Sequence, residues 1–301
     1  MSTEGCFTEN VAPGVRIAFE AERLRYQVKS SAHEKLVFDN VRFGRMLMID
    51  GAVQLSSSDA FVYHEMMSHV PLLAHGRAER VLIVGGGDGG LAAEVLKHRC
   101  IRKVVQIEID PQVVKLARDY FADINATAFN DRRFRLIIGD GAEFVASTDE
   151  RFDLVLVDST DPGGVSEPLF TETFYRNARG CLKPGGVLIA QIGVPFLQAP
   201  VFQTALERLA SVFPLVSCYL VPIPCIFGGP LAFAWASNIM SSDSPGLDAL
   251  TARHTASGIA TRYYTPELHK ASFALPACIK AMVKAATKPH EICPERRQST
   301  G

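Results

Sequence analysis

The sequence predicts an α/β protein: a parallel sheet covered by helices on both faces, preceded by a small β-strand unit. Two observations carry this. From Ala60 onward, continuous apolar runs alternate with stretches of helical spacing, the pattern of a parallel sheet buried on both sides. Ahead of that point the chain reads as short strands divided by turn residues. The bulk properties agree. The 301 residues allow one large domain, or one domain with a small appendage. Apolar residues make up 48% and charged residues 21%, as in ordinary globular proteins. The formal net charge of -1 provides no basic excess to grip phosphates, so nucleic acid is not an expected partner. No apolar run approaches membrane-spanning length, and Met1 to Gly14 lacks a basic-then-apolar signal pattern. The expected compartment is the cytoplasm, with no membrane partner. The seven cysteines are odd in number and include no CxxC pair, which argues against a disulfide framework or a zinc site. They read as free, buried thiols.

Taken in order, residues 1 to about 12 read as a loose end, as does the tail 289–301, which has nothing to bury. Leu24 to Val28, Leu36 to Asp39 and Met46 to Ile49 are strand-like, punctuated by Asn40, Gly44 and the hairpin pair Asp50-Gly51. The expected division is a β-strand domain over 1–58, a sheet domain over 59–288 and the loose tail. Phe61 to Ala74 has helical spacing. Strands are expected at Val81–Val84, Val104–Ile109, Phe134–Ile138, Leu154–Val157 and Val187–Gln191, with helices at Leu91–His98 and Val113–Phe121. Ser217–Val221 and Leu231–Ser237 form a candidate closing hairpin.

The unusual residues fall at strand ends, where open α/β sheets bind ligands. The first run stops at GlyGlyGlyAspGlyGly (85–90), a GxGxxG between strand and helix, with Gly85 and Gly87 at motif positions. Glycines let backbone approach a ligand, and the helix N-terminus adds donors. Nicotinamide and flavin enzymes use the same device. Glu108, about twenty residues on, stands where an acid takes ribose hydroxyls. GlyAspGly (139–141) places Asp140 where a carboxylate accepts from an adenine amino group, and the next strand ends at Asp158. Acids closing three successive strands, followed by LysProGlyGly (183–186), resemble the Rossmann-like fold of class I S-adenosylmethionine-dependent transferases.

A narrower resemblance rests on many motifs in order. They are AspAlaPheValTyrHisGluMetMetSerHisValProLeu (59–72), the glycine loop, GluIleAsp (108–110), GlyAspGly, AspSerThrAspPro (158–162), GluProLeuPhe (167–170) and ArgTyrTyrThrProGluLeuHis (262–269). Over about residues 15 to 285 the chain is similar to the spermidine synthase family. The resemblance implies decarboxylated S-adenosylmethionine as aminopropyl donor, a small di- or polyamine such as putrescine as acceptor, and a homodimer or homotetramer. It implies Asp158 as general base, Asp161 as ligand for the amine, and Tyr63 as the hydroxyl that orients the attacking nitrogen. It sets His64 against substrate and Asp88 against the donor's ammonium, where a carboxylate disfavours the α-carboxylate of ordinary S-adenosylmethionine. Glu108 then takes the ribose, and Asp140 with Gly141 the adenine. Residues 161–170 resemble a gate over the site. No metal is expected, because a sulfonium carbon is already activated and leaves as a neutral thioether.

The chain departs from the family at several places. His33 stands at a donor-contact position where glutamine is usual, and Val165 at one where proline is common. Ala60 replaces a glutamate and Ala93 an arginine. The family's IleProThrTyr reads IleProCysIle (223–226), so Ile226 replaces a tyrosine expected at the far end of the diamine. Isoleucine neither donates nor accepts a hydrogen bond, which points to an acceptor that is longer or more apolar at that end. Two other classes share much of this pattern: an S-adenosylmethionine-dependent amine N-methyltransferase, and a nicotinamide-binding or non-catalytic Rossmann protein. Tyr63 and the intact AspSerThrAspPro argue against the second.

Overall fold

A strand, β1 (Gly5–Ala12), stands where a loose N-terminal end was expected. It pairs antiparallel with β2 (Val15–Ala21) around a turn in which Gly14 adopts φ 80°. Alternate β1 side chains are half-buried, and Phe7 meets Phe38 with ring centroids 4.8 Å apart. One half-apolar face is enough to dock a hairpin, so the N-terminal segment is a paired strand and not a loose end. The structure is a computed structural model and describes residues 5–29, 34–162 and 164–287. His33, Cys293 and the expected loose tail 289–301 lie outside the described residues.

Four strands follow as an antiparallel sheet in sequence order: β3 (Arg23–Lys29), β4 (Glu34–Asn40), β5 (Gly44–Ile49) and β6 (Ala52–Ser56). Alternation sends Leu36, Phe38, Met46 and Met48 to one face, against Phe19 of the hairpin. It sends Val37, Leu47 and Leu55 to the other, against Ala60, Leu116 and Phe121. Asp50 (φ 50°) and Gly51 (φ 77°) are both left-handed, as a two-residue hairpin turn requires.

Beyond α1 (Ala60–His75) come β7 (Arg80–Gly85), α2 (Gly90–Leu96), β8 (Lys103–Glu108), α3 (Pro111–Tyr120), α4 (Ala122–Phe129), β9 (Phe134–Ile138), α5 (Gly141–Ser147) and β10 (Phe152–Asp158). A 3-10 segment, Gly164–Phe170, leads to α6 (Glu172–Gly180), β11 (Leu182–Gln191), α7 (Ala199–Ala210), β12 (Leu215–Val221), β13 (Leu231–Ser237), α8 (Leu247–Ser257), α9 (Pro266–Ser272) and α10 (Ala277–Ala286). Seven strands form one sheet in the order β12-β13-β11-β10-β7-β8-β9. Only β13 runs antiparallel to its neighbours, so β12 and β13 are the expected closing hairpin. Successive residues of the central strands feed opposite cores. Ile83 and Leu156 pack with α1 and α2, while Leu82 and Val155 pack with α6 and α7. Burial on both sides explains why these strands read as unbroken apolar runs.

Two expectations need adjustment. The helix expected to reach His98 stops at Leu96, because the Arg133 guanidinium takes the carbonyls of Leu96, His98 and Ile101 and closes it early. All six described cysteines are free, but Cys6, Cys100 and Cys278 are exposed, while Cys181, Cys218 and Cys225 are buried. Among the described residues no helix is long and apolar enough to cross a membrane.

Candidate active site

The carboxyl ends of β7, β8, β9 and β10 open into a cavity of about 980 Å³, which α1, the N-terminal strands and the loops after β11 and β12 also wall. The glycine loop is shaped by β10. Gly86 N–H donates to the Asp158 carbonyl at 2.8 Å. A Cβ on Gly85 (φ 86°) would lie 2.0 Å from that same carbonyl oxygen. One on Gly86 (φ 66°) would lie 2.7 Å from Asp158 Oδ2. Only glycine lets the loop lie across the strand end.

Asp158 is the last residue of β10, and Tyr63 reaches it from α1, its hydroxyl donating to Asp158 Oδ1 at 2.6 Å. Asp158 Oδ2 is buried and has no hydrogen-bond partner among the described residues. Burial, with the Asp88 carboxylate nearby, pushes the Asp158 carboxyl up to about 6, against the Tyr63 bond and His64. Burial and Asp158 hold the Tyr63 hydroxyl well above the usual tyrosine range. His64, buried on α1, sets Nε2 3.3 Å from Asp88 Oδ1. Burial opposes its charge, but Asp88 and Asp158 outweigh it and carry the imidazole above its ordinary value. A Cβ on Gly90 would lie 2.2 Å from the His64 ring, so helix α2 begins on glycine because the imidazole lies against it. Tyr63, His64, Asp88 and Asp158 thus form one constellation.

On the other side, Glu108 ends β8 and accepts the Asp110 N–H at 2.9 Å. Burial pushes its carboxyl up to about 7. A Cβ on Gly87 would lie 2.7 Å from Glu108 Oε2, so the glycine loop and this acid are in close approach. Asp140 caps α5, its Oδ1 accepting from Ala142 N–H at 2.6 Å and more weakly from Glu143 N–H at 3.3 Å. Gly141 packs so tightly on Val84 that a Cβ would lie 2.4 Å from its Cγ1. Val165, half-exposed in the 3-10 segment, also lines the cavity.

Gln191, Gln198 and Glu9 were given no site role from the sequence. Asp161, expected at the site, is bound by Gln191 Nε2 at 2.9 Å and by Gln198 Nε2. Glu9 comes from β1, the supposed loose end, and lines the same cavity. Burial pushes its carboxyl up to about 7, the Asp161 charge acting the same way. Asp59 pins the loop after β12 by accepting the Cys225 N–H at 2.6 Å. That loop contributes Ile223, Cys225 and Ile226 to an apolar wall completed by Leu231.

A seven-stranded sheet of this order, with one reversed strand and acids closing three successive parallel strands over a glycine loop, is the class I S-adenosylmethionine-dependent transferase fold. Comparison with known proteins narrows this. Residues 60–244 match the spermine/spermidine synthase domain and residues 5–57 the spermidine synthase tetramerisation domain. The polyamine aminopropyltransferase of Ruegeria sp. is 43% identical over 282 residues, covering 94% of this chain and 99% of that protein. That of Pseudomonas syringae pv. tomato is 41% identical over 281 residues, covering 93% and 98%. A crystal structure of spermidine synthase in complex with the transition-state analogue AdoDATO superposes with a TM-score of 0.88 at 32% identity, covering 94% of this chain and 96% of that one. Spermidine synthase from Thermotoga maritima gives 0.85 at 31% identity, with the same coverage. The chain belongs to the spermine/spermidine synthase family of polyamine aminopropyltransferases.

Proposed function

We propose that the protein transfers the aminopropyl group of decarboxylated S-adenosylmethionine to a small di- or polyamine and releases 5′-methylthioadenosine. The observation that carries this is the Asp158 carboxylate on the cavity wall: one oxygen is oriented by Tyr63, and the other is buried without a hydrogen-bond partner among the described residues. An aliphatic amine has a pKa near 10.4, so it arrives protonated and is not nucleophilic. Asp158, with a value of about 6, is ionised at neutral pH and accepts the proton. The freed lone pair attacks the aminopropyl carbon next to sulfur. The C–S bond breaks, its electron pair stays on sulfur, and the sulfonium becomes a neutral thioether.

Tyr63 donates its own proton to Asp158, so its oxygen is left to accept from the attacking nitrogen. Asp161 and Glu9 draw the cationic acceptor in. Asp88 faces the donor's ammonium and is itself held by Gly90 N–H and His64. Glu108 takes the ribose diol, and the uncapped Oδ2 of Asp140 the adenine amino group. Gly85, Gly87 and Gly141 let the backbone approach the donor, and His33 and Val165 complete its contacts. The 3-10 segment closes over the site, excluding water and strengthening these charges.

The division into 1–58, 59–288 and a tail 289–301 is kept as part of this reading. So is a homodimer or homotetramer, supported by the family match over 5–57, in the cytoplasm. The deciding experiment is mass spectrometry of products formed from both sulfonium donors with a panel of amines. Aminopropylated amine from the decarboxylated donor is expected. Methylated amine from the ordinary donor would replace this reading with an N-methyltransferase.

A further inference from the structure

The carboxylate of Asp161 is gripped on both oxygens. Oδ1 accepts from Gln191 Nε2 at 2.9 Å and Oδ2 from Gln198 Nε2 at 2.5 Å. Each amide is oriented from its other end. Gln191 Oε1 accepts the Gly193 N–H at 2.5 Å, and Gln198 Oε1 accepts the Val194 N–H at 2.7 Å. An amide whose oxygen faces a backbone N–H must present its NH2 group to the carboxylate. Flipping either would set N–H against N–H and oxygen against oxygen together. The chain makes room for the arrangement at Gly193 (φ 80°), where a Cβ would lie 2.5 Å from Gln198 Oε1.

Gln198 also breaks a local rule. It occupies the N-cap of α7 and makes no capping bond with its side chain. Glutamine is not among the residues favoured there. A cap forgone for a bond to an active-site carboxylate marks a functional demand on the position.

We infer that Gln198 is a positioning residue for the acceptor amine: together with Gln191 it fixes Asp161 in the one orientation that meets the ammonium. The inference deepens the function proposed above and rests on Asp161 being the amine's ligand. The clamp is neutral, and that matters. A lysine or arginine would hold Asp161 equally well but would cancel the charge that attracts a cation. Two amides satisfy two lone-pair directions and leave the rest, with the full negative charge, for substrate. A carboxylate already ordered loses little rotamer freedom on binding.

The test uses Gln198→Met, Asp161→Asn and the double variant of the full-length enzyme. Amine KM and kcat are measured at saturating donor, 5′-methylthioadenosine affinity by calorimetry, and Tm by thermal unfolding. Gln198→Met is expected to raise amine KM on the order of tenfold, the loss of one charge-assisted bond. Turnover and nucleoside affinity should stay within about twofold, the spread that separate sites allow. Asp161→Asn should raise KM further, and the double variant should match Asp161→Asn alone, since Gln198 acts only through that carboxylate. An unchanged KM in Gln198→Met overturns the inference. So does full additivity in the double variant, or a joint fall in kcat, nucleoside affinity and Tm. If Asp161→Asn itself leaves KM unchanged, the assignment of Asp161 to the amine has failed, and Gln198 fails with it.

Discussion

On the role proposed for Glu108, nucleoside binding should be a proton-linked event. The Glu108 carboxyl sits at about 7 in the free protein because it is buried. A ribose diol brings two O–H donors, and donors to the charged form favour ionisation. Binding the uncharged 5′-methylthioadenosine should therefore drive a proton off Glu108. At pH 7 the group is about half protonated, so roughly half a proton leaves per nucleoside bound, rising to roughly 0.9 at pH 6 and falling to roughly 0.1 at pH 8. If the bound value falls to about 5 or lower, the same linkage tightens the nucleoside about tenfold between pH 6 and pH 8. Calorimetry in buffers of different ionisation enthalpy reads the proton count directly. Glu9 and Asp158 titrate nearby, at about 7 and about 6, so Glu108→Gln supplies the reference. That variant should bind more weakly and lose most of the proton release. Equal release in wild type and Glu108→Gln, or none in wild type, would refute the assignment of Glu108 to the diol.

Asp158→Asn should lower turnover by roughly 100-fold or more, as loss of a general base does, while 5′-methylthioadenosine still binds. In the wild type kcat/KM should fall as pH drops through about 6, where the base becomes protonated; near-normal turnover in the variant would remove Asp158 from the mechanism. Asp140→Ala should weaken 5′-methylthioadenosine, but because it also removes the cap of α5 it should cost about 1 kcal/mol of stability. Asp140→Asn keeps a capping oxygen, and if it spares both Tm and affinity then Asp140 is a cap alone. Ile226 offers the far amine of putrescine no partner, so Ile226→Tyr should raise kcat/KM for putrescine by about one to two decades and leave more apolar amines unimproved. A native enzyme already efficient on putrescine and indifferent to Ile226→Tyr would show that this loop does not read the acceptor.

The sheet and the acids at its strand ends were legible in the sequence because both leave local marks. Strands buried on both faces are unbroken apolar runs, and acids at their ends stand out against them. The glycine loop was legible for the same reason, although only the structure shows that Gly85 and Gly86 are required by the Asp158 carbonyl and carboxylate. The β1–β2 hairpin was missed because β1 alternates half-buried with exposed residues and includes Thr8 and Asn10, a composition shared with unstructured ends. Glu9 was lost with it. Gln191 and Gln198 were invisible for another reason: an uncharged amide gains meaning only from what it touches. The bond of Gln198 to Asp161 spans 37 positions of chain, and no spacing rule reaches that far.

The buried acids of the cavity set selection for durability against selection for turnover. Glu9 and Glu108 stand at about 7 and Asp158 at about 6, whereas their ordinary values are 4.5 and 3.8. A folded value above the unfolded one leaves its stability fully present below about pH 4, and that stability is lost as pH climbs to 6 and 7. At neutral pH, then, the resting fold carries charges it would keep better as neutral groups. A library sorted only for survival of heating at pH 8 would gather Glu9→Gln, Glu108→Gln and Asp158→Asn. These are the variants that, on the roles proposed above, handle substrate worst. Breeding a hardier form of this enzyme therefore calls for screening in the presence of nucleoside and amine, so that the acids are judged in the company they were shaped for.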